Sequence, residues 1–150
     1  MASLSQVKTY LSQWFQLGKH AVSSDGSSRY LPCPVFLGES YSPEFDRVWS
    51  EISLSNADDF YLEGTDQSIA DLLSSDWTIE GCARCQMPIP ASPYNWMCAN
   101  CPCSDLSTWP NEHLPKPRSP APTQSHLRSI CERLHLQQED SRLHSTQAIL

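Results

Sequence analysis

The sequence predicts an α+β protein: a small body of helices and short strands, a cysteine-rich hairpin, a proline-rich tether and a last helix. Three observations lead there. Helical apolar spacing alternates with runs too short and too interrupted by proline for anything but short strands. Five of the seven cysteines lie between Cys82 and Cys103. Five prolines fall between positions 110 and 122. The expected segments are an acidic body over 1–81, a hairpin packed on it over 82–109, a Pro-rich linker over 110–124 and a C-terminal helix over 125–145.

The first element is an amphipathic helix in "SLSQVKTYLSQWFQLG", with Val7, Tyr10, Leu11, Trp14 and Phe15 at i, i+3, i+4, i+7, i+8 spacing. Ser3 and Gln6 form a capping box, and Gly18 is a suitable stop. "SSDGSS" is a turn. "RYLPCPVFLG" is apolar, but Pro32 and Pro34 allow at best an edge strand or an extended segment. "YSPEFDRVWSEISLS" is the clearest helix start. Ser42 caps it, Pro43 fits its first turn, Glu44 and Asp46 suit its positive end, and Phe45, Val48, Trp49 and Ile52 form its apolar face. "DDFYLEGT" reads as a short strand and turn. "TDQSIADLLSS" reads as a short helix capped by Thr65 or Asp66 that buries Ile69, Leu72 and Leu73. "DWTIEG" is a short strand leading into the cysteines.

The tether "WPNEHLPKPRSPAP" carries Pro110, Pro115, Pro117, Pro120 and Pro122, which exclude a helix or a ladder. Few contacts should therefore cross it, and truncation after about Pro110 should leave a folded body. Beyond it, Leu127, Ile130, Cys131 and Leu134 share one helical face. So short a helix is marginal alone and must bury that face against the body, another copy or a partner.

The chain has 150 residues and a net charge of −7, unevenly spread. Residues 1–32 carry +2, residues 33–81 carry −10, residues 82–110 are neutral and residues 111–150 carry +1. The acidic middle third argues against a broad nucleic-acid-binding face, which needs clustered Lys and Arg. No basic leader with an unbroken apolar run begins the sequence, and no apolar stretch approaches a membrane span. A cytoplasmic protein with reduced thiols is expected, not a disulfide framework.

Cys82-x-x-Cys85 and Cys98-x-x-Cys101 are separated by "QMPIPASPYNWM". A tight turn in each pair points two sulfurs at one centre, and a hairpin between the pairs brings them together as a tetrahedron. Cys82, Cys85, Cys98 and Cys101 are thus the expected ligands, and Cys103 is an alternate ligand or a spare thiol. This pattern, over residues 80–104, resembles the zinc-ribbon or zinc-knuckle class, with zinc as the expected cofactor. Iron centres also use four thiolates, and metal-free thiols are the plain alternative. Tyr94 and Trp96 are expected beside the metal. Cys33 is expected as a small buried residue, Cys131 as part of an apolar face, and His113 as solvent-facing.

An enzyme is not expected. The sequence has no Gly-rich phosphate loop, no His-Glu-x-x-His and no Gly-x-Ser-x-Gly, and an all-cysteine set describes a closed site. The expected role is a non-enzymatic zinc-binding adaptor with an unidentified protein partner. The alternatives are a redox- or metal-responsive regulator that releases zinc on thiol oxidation, and nucleic-acid binding through the ribbon with Tyr94, Trp96 and Trp109 as stacking groups. Nucleic acid and membrane are not the expected partners.

The segments "YLSQWFQLGK", "YSPEFDRVW", "DFYLEGTDQSIADLLSSDW" and "CARCQMPIP…CANCPCSDL" resemble those of a group of small uncharacterised cyanobacterial proteins, over residues 5–118. The resemblance implies a cytoplasmic protein of a photosynthetic bacterium and carries no activity with it.

Overall fold

The structure, a computed structural model, describes residues 1–55, 57–94, 101–120 and Leu134. The chain divides into two units, 1–119 and 120–150. The first is α+β, as the alternation of helical and short extended runs predicts.

Helix α1 (Leu4–Gln16) begins where Ser3 accepts from the Gln6 backbone N–H while the Gln6 side chain accepts from Ser3. It ends at Gly18, whose φ of +85° turns the chain back so that the Lys19 N–H reaches the Trp14 carbonyl at 3.1 Å. Its apolar stripe is the buried one: Val7, Tyr10, Leu11, Trp14 and Phe15. Strands β1 (Ala21–Ser23) and β2 (Arg29–Tyr30) flank the "SSDGSS" turn, and Asp25 ties that turn by accepting from Ser23 and Ser27. Strand β5 (Phe60–Leu62) pairs antiparallel with the other side of β1, which gives the order β2-β1-β5.

Between β2 and β5 lie a small hairpin, β3 (Phe36–Leu37) with β4 (Ser40–Tyr41), and helix α2 (Pro43–Ser50). Ser42 caps α2 through the Phe45 N–H. A π-helical turn, Glu51–Ser55, extends it. Stacked rings join these pieces: Phe36 on Tyr41 at 5.1 Å, Tyr41 on Phe45 at 4.5 Å, and Phe45 edge-on to Phe15 of α1 at 6.0 Å. Of the apolar face expected for α2, Phe45, Val48 and Ile52 are buried, and Trp49 packs partly buried against them.

Helix α3 (Ile69–Leu73) is capped by Ser68, which exchanges hydrogen bonds with Asp71. Thr65 and Asp66 are not the cap. Thr65 is buried instead and donates to the Leu62 carbonyl at 2.8 Å. Strand β6 (Thr78–Gly81) pairs antiparallel with β7 (Pro88–Ala91). Pro88 and Pro90 are tolerated because, among the described residues, the sheet has two strands, which leaves β7 an outer edge for positions that lack a donor. Trp14 of α1 fixes this hairpin to the body, its indole N–H donating to the Pro88 carbonyl at 2.7 Å.

Residues 115–119 form neither helix nor strand, as their prolines dictate. They nevertheless bond to the body. The Arg118 N–H and carbonyl exchange hydrogen bonds with the Gln16 side chain at 2.9 and 2.8 Å. Gln13 reaches the Ser119 hydroxyl at 2.8 Å, Lys116 reaches Gln86 at 2.9 Å, and the Arg118 guanidinium lies 5.1 Å over the Phe36 ring. The proline count excludes a ladder but not these side-chain bonds.

In the second unit, Leu134 is helical and 57% exposed. The rest of the expected C-terminal helix, with Cys131, His126 and His135, lies outside the described residues. No helix among the described residues is long and apolar enough to cross a membrane.

Truncation after Ser119 should leave the melting temperature of the first unit unchanged. Truncation after Pro110 should lower stability by about 1–3 kcal/mol, because exposed hydrogen bonds contribute about 0.5–1.5 kcal/mol each and this cut removes several. Calorimetry of the two truncated chains checks this. Equal melting temperatures would mean that residues 111–119 contribute nothing.

Candidate metal centre

The first cysteine pair sits in the turn joining β6 to β7. The ladder runs one step past Gly81, with the Cys82 N–H donating to the Met87 carbonyl at 2.8 Å. The chain then turns tightly enough for the Gln86 N–H to reach the Cys82 carbonyl at 2.8 Å. Closing that turn puts Gln86 at φ +62°, a left-handed conformation that costs a side-chain-bearing residue about 1–2 kcal/mol. The hairpin is therefore built around the first cysteine pair, whereas the spacing predicted one built from the segment between the pairs.

The second set sits at the start of a short 3₁₀ helix, Pro102–Asp105. Cys101 is its cap, its sulfur accepting from the Cys103 N–H at 3.5 Å. Pro102 at the first position loses nothing by lacking an N–H. This helix is pressed against the turn after β5. A Cβ on Gly64, whose φ is +91°, would lie 3.3 Å from Pro102 Cα. Gly64 thus serves both a backbone conformation and a close approach.

These two turns bring Cys82, Cys85, Cys101 and Cys103 together, with all four sulfurs within 4.8 Å of one another. Cys85 Sγ and Cys101 Sγ are 3.8 Å apart, far beyond the ~2.05 Å of a disulfide. Cys82, Cys85 and Cys103 are buried, Cys103 at 2% exposure, and Cys101 is partly buried. Four thiols at this spacing can hold one metal ion. Three of the four ligands expected from spacing are in the cluster. Cys98 lies outside the described residues. Cys103, the alternate, is the fourth thiol of the cluster among the described residues.

Burial opposes charge on every one of these thiols, and the local hydrogen bonds decide how each responds. Burial pushes Cys82 up, but the Cys85 and Arg84 backbone N–H groups, helped by the neighbouring Cys101 and Cys85 thiols, outweigh it and lower the group to about 7. Cys85 is pushed up to about 11, by burial first, with Cys82 and Cys103 adding to it. Cys101 is raised beyond the ordinary thiol range, again by burial first and then by the thiols beside it. The cluster accepts a first negative charge readily and resists the next. A bound cation removes that resistance.

Two residues near the cluster, Tyr10 and Lys19, are not marked out by the sequence pattern, whereas Trp109 is one of the aromatic residues it singles out. Tyr10 reads only as one more apolar position of α1. Its hydroxyl is fully buried and makes no well-formed hydrogen bond among the described residues, with the Thr65 side chain as its polar neighbour. Burial pushes it well above its ordinary value, Thr65 pulls it back, and Cys101 raises it further. Lys19 follows a helix stop, a position that predicts exposure, yet it is 6% exposed. Trp109 is buried, and its indole N–H lacks an acceptor among the described residues. Two expectations are corrected. Tyr94 does not pack beside the cluster but is 84% exposed, because β7 ends at Ala91 and the chain turns outward. Cys33 is exposed, in the proline-flanked loop between β2 and β3 where no ladder draws it inward. Trp96 lies outside the described residues, and His113 is solvent-facing.

Gly64→Ala should cost about 1–2 kcal/mol for the left-handed backbone alone, and the contact with Pro102 adds to that. Chemical denaturation of the variant measures it. A cost no larger than that backbone share would show that the second cysteine turn is not held against this glycine, and one below about 0.5 kcal/mol, the range of an ordinary surface substitution, would contradict the left-handed conformation itself.

The chain matches no protein-family model, and neither the curated proteins nor the solved structures give a match. The resemblance to cyanobacterial proteins gains no support from these comparisons, and the thiol cluster stands on its own geometry.

Proposed function

We propose that Cys82, Cys85, Cys101 and Cys103 hold one structural zinc ion and that the chain is a non-enzymatic protein-interaction module stapled by it. The observation that carries this reading is the mutual approach of four sulfurs. A tetrahedron with Zn–S bonds of ~2.3 Å has edges of ~3.8 Å, and Cys85 and Cys101 are 3.8 Å apart. Soft thiolate donors select zinc over harder ions. An all-thiolate set leaves no open position for water or substrate, which supports a structural role over a catalytic one. The adaptor role draws support from the acidic charge of residues 33–81 and from Leu134, an exposed apolar residue on a helix.

A second reading is favoured by one specific feature. If Cys103 is a ligand, Cys98 becomes a fifth thiol three residues before Cys101. Oxidation of two of the five to a disulfide by peroxide would leave too few thiolates for the metal and release it. This is the redox-regulator alternative.

The reduced protein should contain one zinc per chain. Cys85→Ser and Cys103→Ser should each lose it, with affinity falling at least ~100-fold, because zinc binding to such a site is worth on the order of 10–16 kcal/mol shared among four ligands. Cys98→Ser should keep its zinc. Retention by Cys103→Ser with loss by Cys98→Ser would restore the quartet that spacing alone predicts. A metal-free wild-type protein under reducing, zinc-replete conditions would end the metal reading. For the adaptor role, Ile130→Asp with Leu134→Asp should remove bound protein in a pull-down while leaving the melting temperature of the body unchanged. An unchanged bound set with a lower melting temperature contradicts it.

A further inference from the structure

Helix α1 carries two glutamines near its end, Gln13 and Gln16, spaced to share one face. Gln16 is held in place by donating to the Ser12 carbonyl at 3.1 Å. Its amide also pairs with the Arg118 backbone, donating to the carbonyl at 2.8 Å and accepting from the N–H at 2.9 Å. It thus imitates one step of a β-ladder and grips an extended chain whatever its side chains. Gln13 donates to the Ser119 hydroxyl at 2.8 Å. The β3–β4 hairpin receives the side chain of Arg118. The guanidinium lies 5.1 Å over the Phe36 ring and donates to the Gly38 carbonyl at 3.3 Å. That hairpin belongs to residues 33–81, whose charge of −10 suits a cationic segment. Lys116, Arg118 and Ser119 all remain exposed. A segment held by polar bonds at the surface, with no buried anchor of its own, opens and closes without disturbing the core.

We propose that Gln13, Gln16, Phe36 and Gly38 form a docking site for an extended, arginine-bearing segment of a partner protein, and that residues 116–119 of the chain fill it as an autoinhibitory strap. The site holds the backbone through Gln16 and selects one side chain, a guanidinium, through an aromatic face and a carbonyl. The strap is tethered, so its effective concentration at the dock is on the order of millimolar. An outside peptide meets only the fraction of chains whose dock is open, and its apparent affinity falls by that fraction. This inference rests on the reading of the chain as a protein-interaction module and not on the metal centre. It names the chemistry of the segment such a module takes.

The probe is a fluorescently labelled peptide copying residues 114–119, titrated with the full chain and followed by anisotropy. Arg118→Pro in the chain removes both the N–H that Gln16 accepts and the guanidinium, and it alters no residue of the dock. That variant should bind the peptide about tenfold or more tighter than the wild-type chain, because its dock is open. Adding Gln16→Ala to Arg118→Pro should take binding back to the wild-type level or below. A peptide with alanine in place of its arginine should bind the opened dock about tenfold or more weaker. Equal binding by the wild-type and Arg118→Pro chains, or none by either, makes the strap a structural tie and overturns the proposal. So does tight binding that survives Gln16→Ala or the loss of the peptide's arginine, since the peptide then sits elsewhere. The pull-down with Ile130→Asp and Leu134→Asp does not involve the dock, so failure here and failure of the adaptor reading are told apart.

Discussion

The constraint on which the structure depends is the confinement of four sulfurs by two separate turns. One turn closes a two-stranded hairpin, and the other opens a single turn of 3₁₀ helix. Neither element is stable alone: two strands of four residues are marginal in water, and a four-residue helix is no more than a bend. What holds them is the body beneath. Trp14 bonds to the Pro88 carbonyl, Gly64 lies against Pro102, and Lys19 reaches Asp105. All three contacts come from the end of α1 or from the turn after β5. The cysteine turns are therefore extensions of the hydrophobic core, and Cys82, Cys85 and Cys103 are members of it.

This arrangement has an electrostatic consequence. Buried thiols resist ionisation, and each one that ionises raises the cost for its neighbours. Cys101 shows this most strongly and Cys82 least, because backbone N–H groups fall to Cys82. Without a cation the cluster is a packed group of thiols with one easily ionised member. With a cation the four sulfurs share one attractive centre, and the two turns are cross-linked to each other. For a body whose strands are two to four residues long, such a cross-link supplies stabilisation that so small a core does not provide unaided.

Much of this was legible in the sequence, and the reasons differ by element. Helices α1 and α2 announce themselves because cap, apolar stripe and stop agree: Ser3 with Gln6, Ser42 with Pro43, and a heptad-like stripe in each. The cap of α3 lies two or three residues beyond the expected Thr65 or Asp66, because Thr65, Asp66 and Ser68 are all capping residue types and only the fold decides that Thr65 turns inward. Cys82, Cys85 and Cys101 were readable as a cluster from spacing alone. Cys103 reads from spacing only as an alternate, because Cys-x-Cys spacing around a proline says nothing about which sulfur turns inward until the 3₁₀ turn is in place. Lys19 and Tyr10 carried no signal. Their relevance comes from residues more than 40 positions away, and no local pattern encodes that. Tyr94 and Cys33 were misread for a related reason: residue type favours burial for both, but a loop past the end of a strand has no sheet to pack against.

The claim that tests the account most directly is the composition of the metal's coordination shell. X-ray absorption at the zinc edge of the purified, reduced protein reads it without mutation. The account predicts four sulfur neighbours at ~2.3 Å and no nitrogen or oxygen. A shell containing nitrogen or oxygen, or fewer than four sulfurs, would contradict a closed all-cysteine site and with it the structural role assigned to the metal.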